Sequence, residues 1–266
     1  MSTVFFHERQ SYGRDLGESM NFSVHETRAK EADSAPETAP NPSNVPSLDR
    51  PEYAEVLDEE IHEEYMKIKT LLLASRNTEQ PIRSLVVAGS VRGEGASTVA
   101  IHIARTLAVG NAFPTLLVDT DLRIPSIHKY LGLKNDIGLA EVLSSSMDFA
   151  MAIHRTRFPS LGVVTAGRHP LDVSNLPNTQ RYQDFLQFAR NHFQYVILDA
   201  APIRETFDAV VFGAPLDACV LVVRADHTPR PFVLQARQRL IEANLNVFGV
   251  VLNRKRKYVP NFIMRE

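Results

Sequence analysis

Residues 86–108 read VVAGSVRGEGASTVAIHIARTLA. An apolar run enters a turn that carries Gly93 and Gly95, and a pattern of helical spacing leaves it. Glycine allows backbone conformations and close approaches that other residues resist, so successive N–H groups can converge on an anion. A helix beginning near Ala96 would add its N-terminal dipole and unsatisfied donors. Ser97 stands where a hydroxyl would ligate Mg²⁺. The order strand, glycine turn, helix points to a phosphate-binding loop. Ser90, Arg92, Gly93, Glu94, Gly95, Ala96, Ser97 and Thr98 are then the residues that would meet a nucleotide. One position breaks the pattern, because Ala96 occupies the place of the lysine in such loops.

The alternation continues outward from this stretch. Short apolar runs at 85–88, 115–119, 162–165, 195–199, 218–223 and 247–252 read as strands. Helical patterns at 98–109, 137–144, 181–191 and 232–243 separate them. Strands rich in Val, Ile and Leu with no polar alternation are buried on both faces, as in a parallel sheet covered by helices. The fold class is therefore α/β, a doubly wound, mostly parallel sheet flanked by helices. Its ligand is expected at the carboxyl ends of the strands.

Two of those runs end in carboxylates. TLLVDTDLR (115–123) closes on Asp119 and Asp121, and YVILDAAP (195–202) on Asp199. A single aspartate after a strand is commonplace as a helix cap or turn former. Three, on two strands that follow a glycine loop, suit Mg²⁺ binding and the orientation of a nucleophile. Asp119 and Asp121 are the candidate catalytic residues, and Ser97, Asp119 and Asp199 the candidate metal ligands.

The net charge of −2 gives no general attraction to nucleic acid, and the one cysteine, Cys219, excludes an internal disulfide framework. Cys219 lies within an apolar run and reads as a small buried hydrophobe. No stretch approaches the roughly 20 apolar residues needed to span a bilayer, and the first residues lack a signal-peptide pattern. A cytoplasmic protein is expected, with any membrane role exercised through a partner. Residues 1–52, rich in Pro, Ser and Glu, read as a disordered segment. Residues 54–75 read as an amphipathic helix that packs on the domain 53–260, and residues 261–266 as a tail.

Six collinear segments carry a resemblance. They are GEGAST (93–98), LLVDTDLRIPSIHKYLGL (116–133), GLAEVL (138–143), VTAG (164–167), VILDAAP (196–202) and FGVVLNR (248–254). Together they resemble the cytoplasmic kinase domain of bacterial tyrosine kinases, a branch of the MinD/ParA-like P-loop ATPases that serves exopolysaccharide and capsule export. The resemblance covers residues 53–260. It implies ATP or ADP with Mg²⁺ at the loop, homo-oligomers, and a membrane polysaccharide co-polymerase (chain-length determinant) as partner. It also implies recruitment to the inner face of the cell membrane.

The chain departs from that pattern in three places. Ala96 replaces the lysine. The terminus RKRKYVPNFIMRE (254–266) holds Tyr258 in place of a tyrosine cluster, behind a basic run that is either solvated or partner-facing. On the first helix, Glu63, Met66 and Lys69 stand where the resemblance implies Glu, Arg and Arg. A lysine offers a point charge in place of a planar fork, which implies a weakened oligomer interface. These departures lead to the expectation of a kinase-like protein with impaired catalysis and weak nucleotide binding, acting as a regulatory or scaffold subunit. The alternative is an active autokinase or ATPase in which another cation, such as Arg92, replaces the lysine. A partition or positioning ATPase would carry a further lysine early in the loop, where Val91 stands.

Overall fold

The computed structural model describes residues 3–5, 59–168 and 179–255. Its strands are β1 (Thr3–Phe5), β2 (Ser84–Gly89), β3 (Thr115–Asp119), β4 (Ile153–Arg155), β5 (Leu161–Val164), β6 (Tyr195–Ala200), β7 (Ala218–Arg224) and β8 (Val247–Asn253). The helices are α1 (Glu59–Ser75), α2 (Ala96–Ala108), α3 (Ile127–Leu131), α4 (Leu139–Ser144), α5 (Gln180–His192), α6 (Asp208–Gly213) and α7 (Arg230–Glu242).

The strands form one sheet in the order β1-β8-β7-β2-β6-β3-β5-β4. The six inner strands run parallel, from β8 through to β5. β1 pairs antiparallel with β8, and β4 antiparallel with β5. Every residue of β2, β3, β5 and β6 is buried, as their unbroken apolar runs require.

The two-residue period of the strands divides the core into two layers. Val86, Val118 and Leu198 face one side, with Leu139 of α4, Phe185 of α5, Phe212 of α6 and Leu240 of α7. Leu85, Leu117 and Ile197 face the other, with Ile103 and Leu107 of α2 and Tyr65, Ile68 and Leu72 of α1. The apolar stripe of α1 therefore packs on the domain, as its spacing predicts; residues 54–58 of the expected helix lie outside the described residues. Cys219 is buried, and burial pushes its thiol up to about 12.

Several elements differ from the sequence expectation. β4 carries His154 and Arg155 and has no apolar run, while α3 and α6 are too short for a helical period to show. α2 begins at Ala96, where the glycine turn suggests, and two residues before the helical pattern at 98–109. Of the segment 1–52, Thr3–Phe5 lies among the described residues, and it adds a strand to the sheet. The tail, Tyr258 included, lies outside them. Among the described residues no helix is long and apolar enough to cross a membrane.

Candidate nucleotide site

The order β2-β6-β3 brings the loop after β2 and the ends of β3 and β6 side by side. Asp119 and Asp199 are direct register partners, and Val87 of β2 pairs with Asp199 on its other side. The residues chosen from sequence thus meet at the carboxyl ends of three adjacent strands, where open α/β sheets bind ligands.

The loop has a fixed shape. Gly93 and Gly95 sit at φ +85° and +88°, the left-handed region that favours glycine. A Cβ on Gly95 would also collide with the amide nitrogen of Asn253, whose Nδ2 donates to the Glu94 carbonyl at 2.8 Å. The buried Glu94 carboxylate accepts from the Val91 N–H at 2.9 Å and from the Thr228 hydroxyl at 2.5 Å. Glu94 therefore shapes the loop from inside. Gly95 caps α2, and no side chain hydrogen-bonds the capping position, which leaves the first-turn amides of Ala96, Ser97 and Thr98 to an anion. Ser90 is buried, and its hydroxyl has no partner among the described residues. Ala96 is half-buried and packs against the core layer of α2.

The three aspartates differ in their surroundings. Asp119 is fully buried and accepts from the backbone N–H groups of Asp121, Ser126 and Ile127 at 3.2, 3.1 and 3.0 Å. Burial nevertheless pushes its carboxyl up to about 7; those amides oppose the rise and the charge of Asp121 adds to it. Asp199 is 1% exposed, and neither carboxylate oxygen has a hydrogen-bond partner among the described residues. Burial and then the charge of Asp119 hold it well above the usual carboxylate range, against the opposing influence of the Ser97 hydroxyl. The Ser97 hydroxyl itself accepts from Ser126 Oγ at 2.9 Å. Asp121 is raised by burial, with Ile124 N–H and Arg92 opposing.

Arg92 is neither free in solvent nor turned toward Ala96. Its Nε donates to Glu205 Oε2 at 3.1 Å and its Nη1 to Asp121 Oδ2 at 3.3 Å, so it bridges the two carboxylates across the mouth of the site.

A buried carboxylate with two unpartnered oxygens, beside a second carboxylate and a hydroxyl, is a set of hard oxygen donors that fits Mg²⁺. Among the described residues no group of three or more His, Cys, Asp or Glu could hold a metal ion. Mg²⁺ held by one or two carboxylates plus phosphates needs no such cage.

Sequence reasoning missed Glu205, which holds Arg92, Ser126, which holds Ser97, and Asn253, which holds the loop. Ser126 lies inside the 116–133 segment. Asn253 likewise lies inside the 248–254 segment, whereas Glu205 is joined to the loop by tertiary structure, which no local pattern announces.

No family model matches the chain. It is 30% identical over 194 residues to the putative tyrosine-protein kinase CapB of Staphylococcus aureus, covering 73% of this chain and 84% of that protein. Over 175 residues it is 31% identical to the tyrosine-protein kinase CpsD of Streptococcus agalactiae, covering 65% of this chain and 76% of that protein. Among solved structures the chimerical protein CapA2B2 aligns with a TM-score of 0.72 at 26% identity, over 77% of this chain and 89% of that one. The cell division ATPase MinD of Pyrococcus furiosus shares the fold at a TM-score of 0.53 and 21% identity, over 63% of this chain and 70% of that one.

Proposed function

The chain belongs to the bacterial tyrosine-protein kinase family of MinD-like P-loop proteins, and we propose that within it this protein binds nucleotide but transfers phosphate poorly. Its role is that of a regulatory or scaffold subunit in exopolysaccharide or capsule production. The observation that carries the reading is the absence of a loop cation at the phosphates: a methyl group stands at Ala96, and Arg92 is engaged by Asp121 and Glu205. A charge-assisted hydrogen bond is worth about 1.5–3 kcal/mol, or roughly 10- to 150-fold in affinity. The loss in phosphoryl transfer is larger, because that cation also meets charge developing in the transition state.

What remains suits binding. The first-turn amides of α2 and the loop around Gly93 take the phosphates, while Ser97, Asp119 and Asp199 would hold Mg²⁺. The metal, when bound, neutralises phosphate charge. Asp119, fixed by three amides and titrating at about 7, can hold or release a proton at its carboxylate near neutral pH. Asp121 orients Arg92.

A second reading rests on Arg92, which already reaches to 3.3 Å from Asp121. A turn away from Glu205 would offer its guanidinium to a phosphate and give an active autokinase or ATPase with a rewired cation. The first reading is favoured because such a turn gives up the contacts to both carboxylates.

The partner we assign is a membrane polysaccharide co-polymerase that recruits this protein from the cytoplasm to the inner face of the membrane. Self-association is weakened. Lys69 donates to the Thr106 carbonyl of its own chain at 3.1 Å, and Met66 is exposed where an arginine would reach a neighbour.

Calorimetry with Mg·ADP tests the proposal. We expect micromolar to millimolar affinity, strengthened in Ala96→Lys, and little or no self-phosphorylation of the unmodified protein. No heat at millimolar nucleotide would leave a pure scaffold. Autophosphorylation that disappears in Asp119→Asn would establish the second reading.

A further inference from the structure

α2 starts at the loop and ends at a second feature. Nine residues along from Ala96, about 13 Å of helical rise, Arg105 enters a recess of about 130 Å³ that opens to solvent. Arg155 and Arg157 line it too. Ile101 and Leu161, both buried, give it an apolar base, whereas Arg155 and Arg157 are exposed at its mouth. Two of the cations are laid against one ring. The Arg105 guanidinium lies 5.2 Å and the Arg157 guanidinium 4.9 Å from the centre of Phe158.

Among the described residues none of Arg105, Arg155 and Arg157 makes an ion pair. Arg105 is half-buried, and its Nη1 is fully buried with no acceptor among the described residues. Buried polar groups are nearly always hydrogen-bonded, and leaving one without a partner is costly. Burial and the charge of Arg157 both push Arg105 down, as expected where guanidinium groups crowd without an anion between them. The planar fork of arginine matches phosphate oxygens, and Phe158 holds two such forks in place by cation–π contact.

We propose that this recess is a binding site for a small phosphate-bearing anion, a diphosphate group held by Arg105, Arg155 and Arg157. Three cations match the charge of a diphosphate better than that of a single phosphate. The apolar base, behind the cations, receives whatever uncharged body the ligand carries. The site is distinct from the nucleotide loop and does not depend on it, since the two lie at opposite ends of α2.

Titration calorimetry of the full chain with inorganic diphosphate in magnesium-free buffer tests the site. Two variants separate it from the loop. Arg155→Gln with Arg157→Gln removes two exposed cations that make no ion pair among the described residues, at the cost of one ring contact with Phe158. Gly93→Asp places a negative charge on the loop; its Cβ meets nothing within 4 Å, and the strain of a side chain at φ +85° falls on the loop, at the far end of α2 from the recess. We expect saturable binding to the unmodified chain, weakened about tenfold or more in the double arginine variant and retained in Gly93→Asp. Absence of saturable heat in the unmodified chain would overturn the proposal. So would binding that survives in the arginine variant and vanishes in Gly93→Asp, because the anion would then occupy the loop.

Discussion

His102 gives a measurable pH dependence to the contact between α1 and α2. Its side chain is 9% exposed, its ring centre lies 4.9 Å from that of Tyr65, and its Nδ1 has no partner among the described residues. Burial, then the charge of Arg105, lowers its pKa from 6.5 to about 4. Between those values the unfolded chain takes up a proton that the folded chain refuses. Stability from this residue is therefore fully present above about pH 6.5 and is lost as the pH falls toward 4. The gap corresponds to about 3 kcal/mol, a large share of the roughly 5–15 kcal/mol that holds a domain together. The Asp119 and Asp199 pair works in the opposite direction. Their raised pKa values favour the folded state at low pH, and that contribution fades as the pH rises through their folded values. A single melting curve mixes the two effects, so the assay compares the unmodified chain with His102→Leu by urea unfolding across this range. The stability difference between the two proteins should change by about 3 kcal/mol between about pH 7.5 and pH 4. Parallel pH profiles would refute the argument, because they would mean that His102 is protonated in the fold or reached by water.

Arg92→Gln breaks two half-exposed ion pairs and should change stability by less than about 1 kcal/mol. It should leave Mg·ADP affinity within about threefold in calorimetry, and a drop of tenfold or more would promote the rewired-cation reading. Gly138→Ala should destabilise by about 2–4 kcal/mol in urea, because the new Cβ would strike the Thr165 carbonyl and the Gly167 amide, both backbone atoms. A neutral result would show that α4 is not seated on the end of β5. Cys219, with its thiol pushed up to about 12, should resist alkylation in the native protein at pH 8 and react once urea unfolds it. Rapid labelling of folded protein would mean that β7 opens locally.

The central strands were legible because burial on both faces leaves an unbroken apolar run, as in YVILDA at β6 and in its neighbours β2 and β3. Burial on one side or at an edge leaves no such mark. β4 presents Ile153 followed by His154 and Arg155, and a three-residue strand has no period to recognise. The candidate site divides in the same way. Gly93, Gly95, Ser97, Asp119 and Asp199 were selected because a strand, a glycine turn and a helix start follow one another in sequence, and the fold brings Asp119 and Asp199 side by side. One of the two partners of Arg92 was not, since Glu205 lies 113 positions away and meets it through the packing of the sheet. The arginines around Phe158 were equally silent, because Arg105 comes from a helix and Arg155 and Arg157 from an edge strand and the turn that follows it.

Both margins of the sheet end in strands of three residues, β1 on one side and β4 on the other, and both run against their neighbours. An extended chain that lines up beside either margin finds a template barely one pleat long and opposite in polarity to the six strands within. Edge-to-edge fusion of two sheets, a hazard of open architectures, thus gains few rungs at either side. Contact between copies is left to helix surfaces, where side-chain charge and shape discriminate and a backbone ladder does not. Among the described residues, the element with the most backbone to offer is thus the one least open to a second copy.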